Sequence, residues 1–152
     1  MSLIIRAGEA EVLGLPPVTM ELLADGDTGI STIRTKMAKG TPGPPPHHHS
    51  LAPELFYILD GGLHVLSGDD VMRVSAGDYL VVPAGTRHAF AAPEDTGAEF
   101  LFFMPGADRF DYFRLTDKVR RGEESPQRVL ETQERFDNYF EDSQVWNDFL
   151  AG

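Results

Sequence analysis

Four of the five histidines in this 152-residue chain sit in two short stretches, and the denser one reads Pro46-His47-His48-His49-Ser50-Leu51-Ala52-Pro53-Glu54-Leu55-Phe56-Tyr57. In an extended chain residues i and i+2 share a face, so His47 and His49 can offer their imidazoles together while His48 faces away. Paired imidazoles on one strand face have chelation geometry. Three adjacent histidines alone fit a solvated loop or a tag remnant as well. A tag, however, would not lie mid-chain behind a proline ramp and run straight into a β-type apolar segment. Glu54 opens that segment, where a carboxylate needs a cation or water nearby. Downstream, Gly77-Asp78-Tyr79-Leu80-Val81-Val82-Pro83-Ala84-Gly85-Thr86-Arg87-His88 places His88 just after a Pro-x-Gly turn. Taken alone, His88 reads as a hydrogen-bonded structural histidine.

The elements that must hold these residues are short strands. Val18 to Leu23, Ile30 to Met37, Leu55 to Leu59, Leu63 to Leu66, Val71 to Val74, Tyr79 to Val82, Arg87 to Ala91 and Glu99 to Met104 are apolar or alternating runs. Turn material separates them, notably Asp25-Gly26-Asp27, Asp60-Gly61-Gly62, Ser67-Gly68-Asp69-Asp70 and Ser75-Ala76-Gly77-Asp78. Eight such strands with no helical pattern between them predict an all-β barrel or sandwich.

The character changes over residues 108–152. Ser125-Pro126 reads as a helix start, and Val129, Thr132, Phe136, Tyr139 and Phe140 recur at helical spacing after it. A weaker helix begins near Asp108 and carries Phe110 and Phe113, with Gly122-Glu123-Glu124 as a hinge or loop. Eight of the fifteen aromatic residues lie in this segment, Trp146 and Phe149 among them. So many rings call for burial, so it is expected to pack on the barrel over its mouth or at a dimer interface.

Composition removes several classes of function. With 13 Lys+Arg against 24 Asp+Glu the formal charge is −11, and no basic face is set apart, so neither nucleic acid nor an anionic membrane is an expected partner. The absence of cysteine excludes disulfides, thiolate nucleophiles and Cys-ligated metals, leaving His, Asp and Glu as ligands. No secretory signal or membrane-length apolar run is found, so a cytoplasmic location is expected.

The two histidine stretches together resemble the paired motifs of the cupin superfamily. The first, Gly-x5-His-x-His-x4-Glu-x6-Gly, is matched by His47, His49, Glu54 and Gly61. The second, Gly-x5-Pro-x-Gly-x2-His-x3-Asn, is matched by Gly77, Pro83, Gly85 and His88. Thr41 stands where the first motif opens on Gly, and Ala92 where the second closes on Asn; both are loop positions. The resemblance spans roughly Arg6 to Phe113 and is to small single-domain cupins of the conserved-barrel, quercetin 2,3-dioxygenase-like kind. It implies a double-stranded β-helix (jelly-roll) barrel over residues 1–107 with a short C-terminal helical appendage over 108–152. It also implies that His47, His49, Glu54 and His88 bind one divalent metal ion, whether Fe, Mn, Ni, Co, Cu or Zn. His48 is set aside by parity and His64 by its place in a hairpin region.

If Glu54 points inward, so do Phe56 and Ile58; Phe90 shares the face of His88, and Phe102 and Met104 supply a third wall unless Leu101 and Phe103 take the opposite parity. An apolar pocket over the metal is the result, suited to a small apolar or aromatic, oxygen-bearing substrate. Leu55, Tyr57 and Leu59 make the outer face of the same strand apolar too, which calls for a second sheet or a homodimer partner. The leading expectation is an oxygenase-type enzyme with Glu54 as ligand and proton acceptor. The fold equally hosts isomerases, lyases and non-catalytic binders. An isomerase or lyase would want a second inward acid or base, for which Arg34, Lys36 and Tyr79 are the candidates.

Overall fold

Period-two patterning becomes ten strands in the computed structural model, which describes every residue from Met1 to Gly152. They are β1 Glu11–Leu15, β2 Val18–Ala24, β3 Ile30–Met37, β4 His47–His48, β5 Glu54–Ser67, β6 Asp70–Ser75, β7 Tyr79–Val82, β8 His88–Ala91, β9 Ala98–Pro105 and β10 Tyr139–Phe140. All pairings are antiparallel. One sheet runs β1-β2-β3-β9-β5-β7; the other runs β6-β5-β8-β4-β10. The architecture is the expected β-barrel with a helical appendage.

Both sheets share β5. The sequence places a turn at Asp60-Gly61-Gly62, but the strand runs through it: the ladder to β9 shifts register between Ile58 and Asp60, after which β5 pairs with β6 and β8. Gly61 makes this corner possible, with φ of +67° and a position where a Cβ would lie 2.3 Å from the Gly97 carbonyl oxygen. A bulge at a glycine bends a strand from one sheet into the next, whereas a turn would have ended it.

Alternation sets the inside. Along β9, Phe100, Phe102 and Met104 are buried while Leu101 and Phe103 are half-exposed, which settles the parity that the sequence leaves open. With Leu22, Ile33, Phe56, Ile58, Leu63 and Val65 they form the main core. The outer face of β5 is not covered within one chain: Leu55 is half-buried, and Tyr57 and Leu59 are exposed beside Tyr79 and Val81.

After β9 come α1 Phe110–Arg120, α2 Gln127–Glu131, α3 Gln133–Phe136 and α4 Gln144–Ala151. The helix expected to continue through Phe140 breaks twice. It is interrupted at Thr132 and ended by Asp137, whose φ is +49°, so that Tyr139 and Phe140 join the sheet beside β4. α4, which helical spacing did not reveal, buries Trp146 against Leu66, Ala89 and Ala91 on the outside of the second sheet. Phe149 stacks on Trp146 but stays 37 % exposed, so fewer of this segment's rings are fully covered than its composition suggests. No helix is long and apolar enough to cross a membrane.

Candidate metal centre

His47 and His88 face one another across the β4–β8 ladder, and His49 follows one residue beyond β4. The Pro83-to-Gly85 turn makes this possible. Gly85 adopts φ of +82° and its N–H donates to the His49 carbonyl at 2.6 Å, tying the turn before His88 to the other histidine stretch. Glu54 enters from the first residue of β5. Ligand atoms of all four lie within 4.8 Å of one another, and each residue is buried to 4 % exposure or less.

The second nitrogens decide what the group can hold. His47 Nδ1 lies 2.8 Å from the Pro45 carbonyl, His49 Nδ1 2.8 Å from that of Asp137, and His88 Nδ1 2.9 Å from that of Thr86. A carbonyl only accepts, so each Nδ1 carries the proton and each Nε2 of a neutral ring presents a lone pair. Glu54 Oε2 also accepts, yet it lies 2.8 Å from His49 Nε2 and in still closer contact with His88 Nε2. Acceptors converging in a buried space require a cation between them, either a proton or a metal. Three imidazoles oriented by carbonyls and one carboxylate are the donor set of a divalent ion, so the residues fit the group the resemblance implies.

The electrostatics agree. Burial pushes the Glu54 carboxyl up, but the neighbouring His88 and His49 outweigh it and hold Glu54 well below the usual carboxylate range. Burial pushes His88 down, but Glu54 more than reverses that and raises it. Burial, aided by His88, takes His47 down to about 3, so this ring stays neutral. Both shifts favour a charged His88 beside a charged Glu54.

His48, as parity requires, turns away; its Nδ1 meets the Glu141 carboxylate at 2.8 Å and its ring stacks on Tyr139. His64 lies within β5, remote from the cluster, with its ring against Phe149.

A cavity of about 300 Å³ opens over the cluster, bordered by His47, His49 and Glu54. Of the pocket residues expected, Phe90 and Phe102 line it; Phe56, Ile58 and Met104 do not. Those three are inward but belong to the packed core. Parity fixes the face of a strand but not the depth along it, and Met104 pairs with Ser31 at the end of β3 opposite the cavity-lining Thr35 and Met37. Arg34, Lys36 and Tyr79 face outward. Arg34 bonds Glu99, and Tyr79 is 57 % exposed.

The far wall comes from the C-terminal segment: Arg109, Tyr112, Phe113, Thr116, Arg120, Val129, Asn138 and Phe140. Sequence reasoning missed its polar members. A signal was present, since positions 109, 112, 113, 116 and 120 make one face of a helix. Reading that helix by Phe110 and Phe113 alone concealed it. Arg109 is 2 % exposed, with its guanidinium 4.4 Å from the centre of the Tyr112 ring. Burial pushes the Tyr112 phenol up to about 12.

A family model described as "Cupin domain" matches residues 33–104. Among solved structures, KdgF from Halomonas sp. is 23 % identical with a TM-score of 0.62, over 74 % of this chain and 99 % of that one. An RmlC-like cupin from Shewanella frigidimarina is 19 % identical at TM-score 0.61, over 74 % and 96 %. The polyketide cyclase RemF from Streptomyces resistomycificus is 19 % identical at 0.59, over 71 % and 82 %. No curated protein matches in sequence.

Proposed function

We propose that this chain, whose residues 33–104 match a cupin-domain model and whose fold is that of a cupin, is a metal-dependent enzyme acting on a small, largely apolar, oxygen-bearing molecule. The observation that carries this reading is the convergence of His47, His49, Glu54 and His88, with carbonyl-held Nδ1 atoms, beside a cavity lined by Phe90, Phe100 and Phe102. A divalent ion bound by these four residues supplies Lewis-acid polarisation of a substrate oxygen and, if redox-active, electrons for dioxygen chemistry. The apolar walls hold the substrate body and exclude water. The Glu54 carboxyl, held well below the usual carboxylate range by His88 and His49, suits a ligand better than a general base.

Two reaction types fit. The first is oxygenation of an aromatic or enolic substrate. The second is an isomerase or lyase reaction, and Tyr112 favours it: its phenol stays protonated on the cavity wall and can donate to a leaving or carbonyl oxygen. Structural relatives described as a polyketide cyclase and a nucleoside dehydratase are consistent with that second type.

Metal analysis of the purified protein, followed by turnover of flavonols and smaller aromatic enols with and without oxygen, tests the reading. The expected result is one divalent ion per chain. Product only in air identifies the oxygenase; solvent deuterium entering product without air identifies the isomerase or lyase. A chain that takes up no stoichiometric metal overturns the proposal.

A further inference from the structure

Arg109 stands apart from every other charged side chain near the cavity. It is buried to 2 % exposure, lines the cavity and makes no ion pair. Its guanidinium bonds are to neutral acceptors, the Phe136 carbonyl at 2.5 Å and the Asn138 side-chain oxygen at 3.4 Å. Its Nε has no partner, and neither has Nδ2 of Asn138, itself 2 % exposed. A buried guanidinium held by two neutral oxygens and the aromatic rings of Tyr112 and Phe113 is a cation with no ion-pair partner.

The nearby acids are committed elsewhere. Asp25 accepts from Ser31 and from the Arg109 and Phe110 backbone N–H groups. Asp137 accepts from the backbone of Ser50 and Leu51. Glu54 faces His49 and His88. Two orphan donors on adjacent cavity-lining residues match two oxygens of one planar anion, and arginine is the side chain best shaped for a carboxylate.

We propose that Arg109, with the Asn138 amide beside it, is an anion-recognition site within the cavity, and that the substrate carries a carboxylate at the end of its apolar body. This rests on the cavity being the substrate site, as proposed above, but it does not require the metal. A carboxylate in place brings the missing negative charge to Arg109 and gives both orphan donors an acceptor. Both donor atoms are covered in the free chain, so the carboxylate is admitted by movement of the Arg109 and Asn138 side chains.

The test compares 3-phenylpropanoate with 3-phenylpropanamide by calorimetry, using metal-free and zinc-loaded protein. The expected result is a preference for the acid in both states. Arg109→Met should lower acid affinity about 10- to 100-fold and leave the amide unchanged. Because Arg109 also supports α3, Asn138→Asp serves as a second variant. It keeps the shape, gives Arg109 an internal carboxylate, and should abolish the acid preference to the same degree. Four outcomes decide the matter. An acid preference that needs Arg109 in protein that takes up no zinc upholds this site and overturns the metal reading. Zinc uptake without an acid preference does the reverse. A preference that survives both substitutions, or exists only with zinc and is indifferent to Arg109, places the carboxylate elsewhere in the cavity, on the metal or on Arg120, and overturns the site. Wild-type protein that binds neither probe, or both alike, also overturns it.

Discussion

In the barrel, the backbone does the positioning: His47 and His88 are cross-strand neighbours in a ladder, and Glu54 heads a strand that alternates inward and outward. In the segment beyond Asp108, side chains do it. Asp137 clamps the Ser50 and Leu51 N–H groups, Arg109 reaches Phe136 and Asn138, and Trp146 sits in an apolar seat on β5 and β8. Yet the two regions meet at the ligands. β10 pairs with β4, and the Asp137 carbonyl accepts from His49 Nδ1. The barrel therefore decides which groups converge, while the C-terminal segment decides how one ligand is oriented and what the cavity can recognise.

The largest break is on the barrel side. His49→Ala removes a donor and leaves Glu54 without one of its two partners. Stoichiometric zinc or cobalt uptake should be lost, as measured by metal analysis after gel filtration. Uptake that persisted at one ion per chain would separate the cluster from metal binding altogether.

Next comes the C-terminal side. Trp146, 2 % exposed, fills an apolar seat, and Trp146→Ala should destabilise the chain by about 3 to 5 kcal/mol in thermal or urea unfolding. Truncation after Gly122 removes Trp146 together with Asp137 and Phe140. It should also weaken metal binding about 10- to 100-fold, because His49 loses the partner of its second nitrogen. Lower stability with unchanged metal affinity would make the segment a clasp with no hold on the ligands.

These contrasts explain how legible each region is in the sequence. Period-two alternation and the spacing of His47, His49, Glu54 and His88 are local properties, so the strands and the cluster can be read directly. The corner at Gly61 is readable only as an interruption, because a bulge and a turn use the same residues. Arg109, Asp137 and Asn138 act through contacts with partners tens of residues away, and a residue such as Asp137 in a left-handed conformation leaves no periodic trace. Helical spacing even misassigned Tyr139 and Phe140, since a strand of two residues has no period.

Acid sharpens the comparison on the barrel side. His88 is raised, so a proton on it competes with metal as pH falls, whereas His47, at about 3, stays unprotonated and does not compete. Because His47 does not compete, metal affinity should fall with fewer protons displaced per ion than the three that a count of histidines gives. Metal-free stability follows a related sign. Between about 6.5 and 3 the unfolded chain binds a proton at His47 that the folded chain refuses, so His47 lowers stability by up to roughly 1.4 kcal/mol per pH unit as pH drops. Glu54, depressed when folded, adds its own loss below its unfolded value. His88, raised when folded, contributes stability that is complete below about 6.5 and lost as pH rises, so it does not offset this decline. Zinc titrations from pH 8 to 5 with a slope of three, or metal-free stability flat from pH 6 to 4, would contradict these assignments.

The smallest effect belongs to the point where the two regions touch without sharing the ligand set. His48 is on β4 between two ligands, but its ring lies against Tyr139 and its Nδ1 against the Glu141 carboxylate, with its side chain 27 % exposed. A polar contact this open is worth about 0.2 to 1 kcal/mol. His48→Ala should therefore cost no more than that in urea unfolding, keep one metal ion per chain, and leave metal affinity within a few-fold of wild type, because the β4–β10 ladder is made by backbone atoms. The substitution isolates parity from proximity, since His48 is adjacent in sequence to both His47 and His49 and differs from them only in the face it presents. Loss of the metal on removing His48, with His49→Ala retaining it, would mean that β4 presents its opposite face to the cavity and that the register with β8 is shifted by one residue.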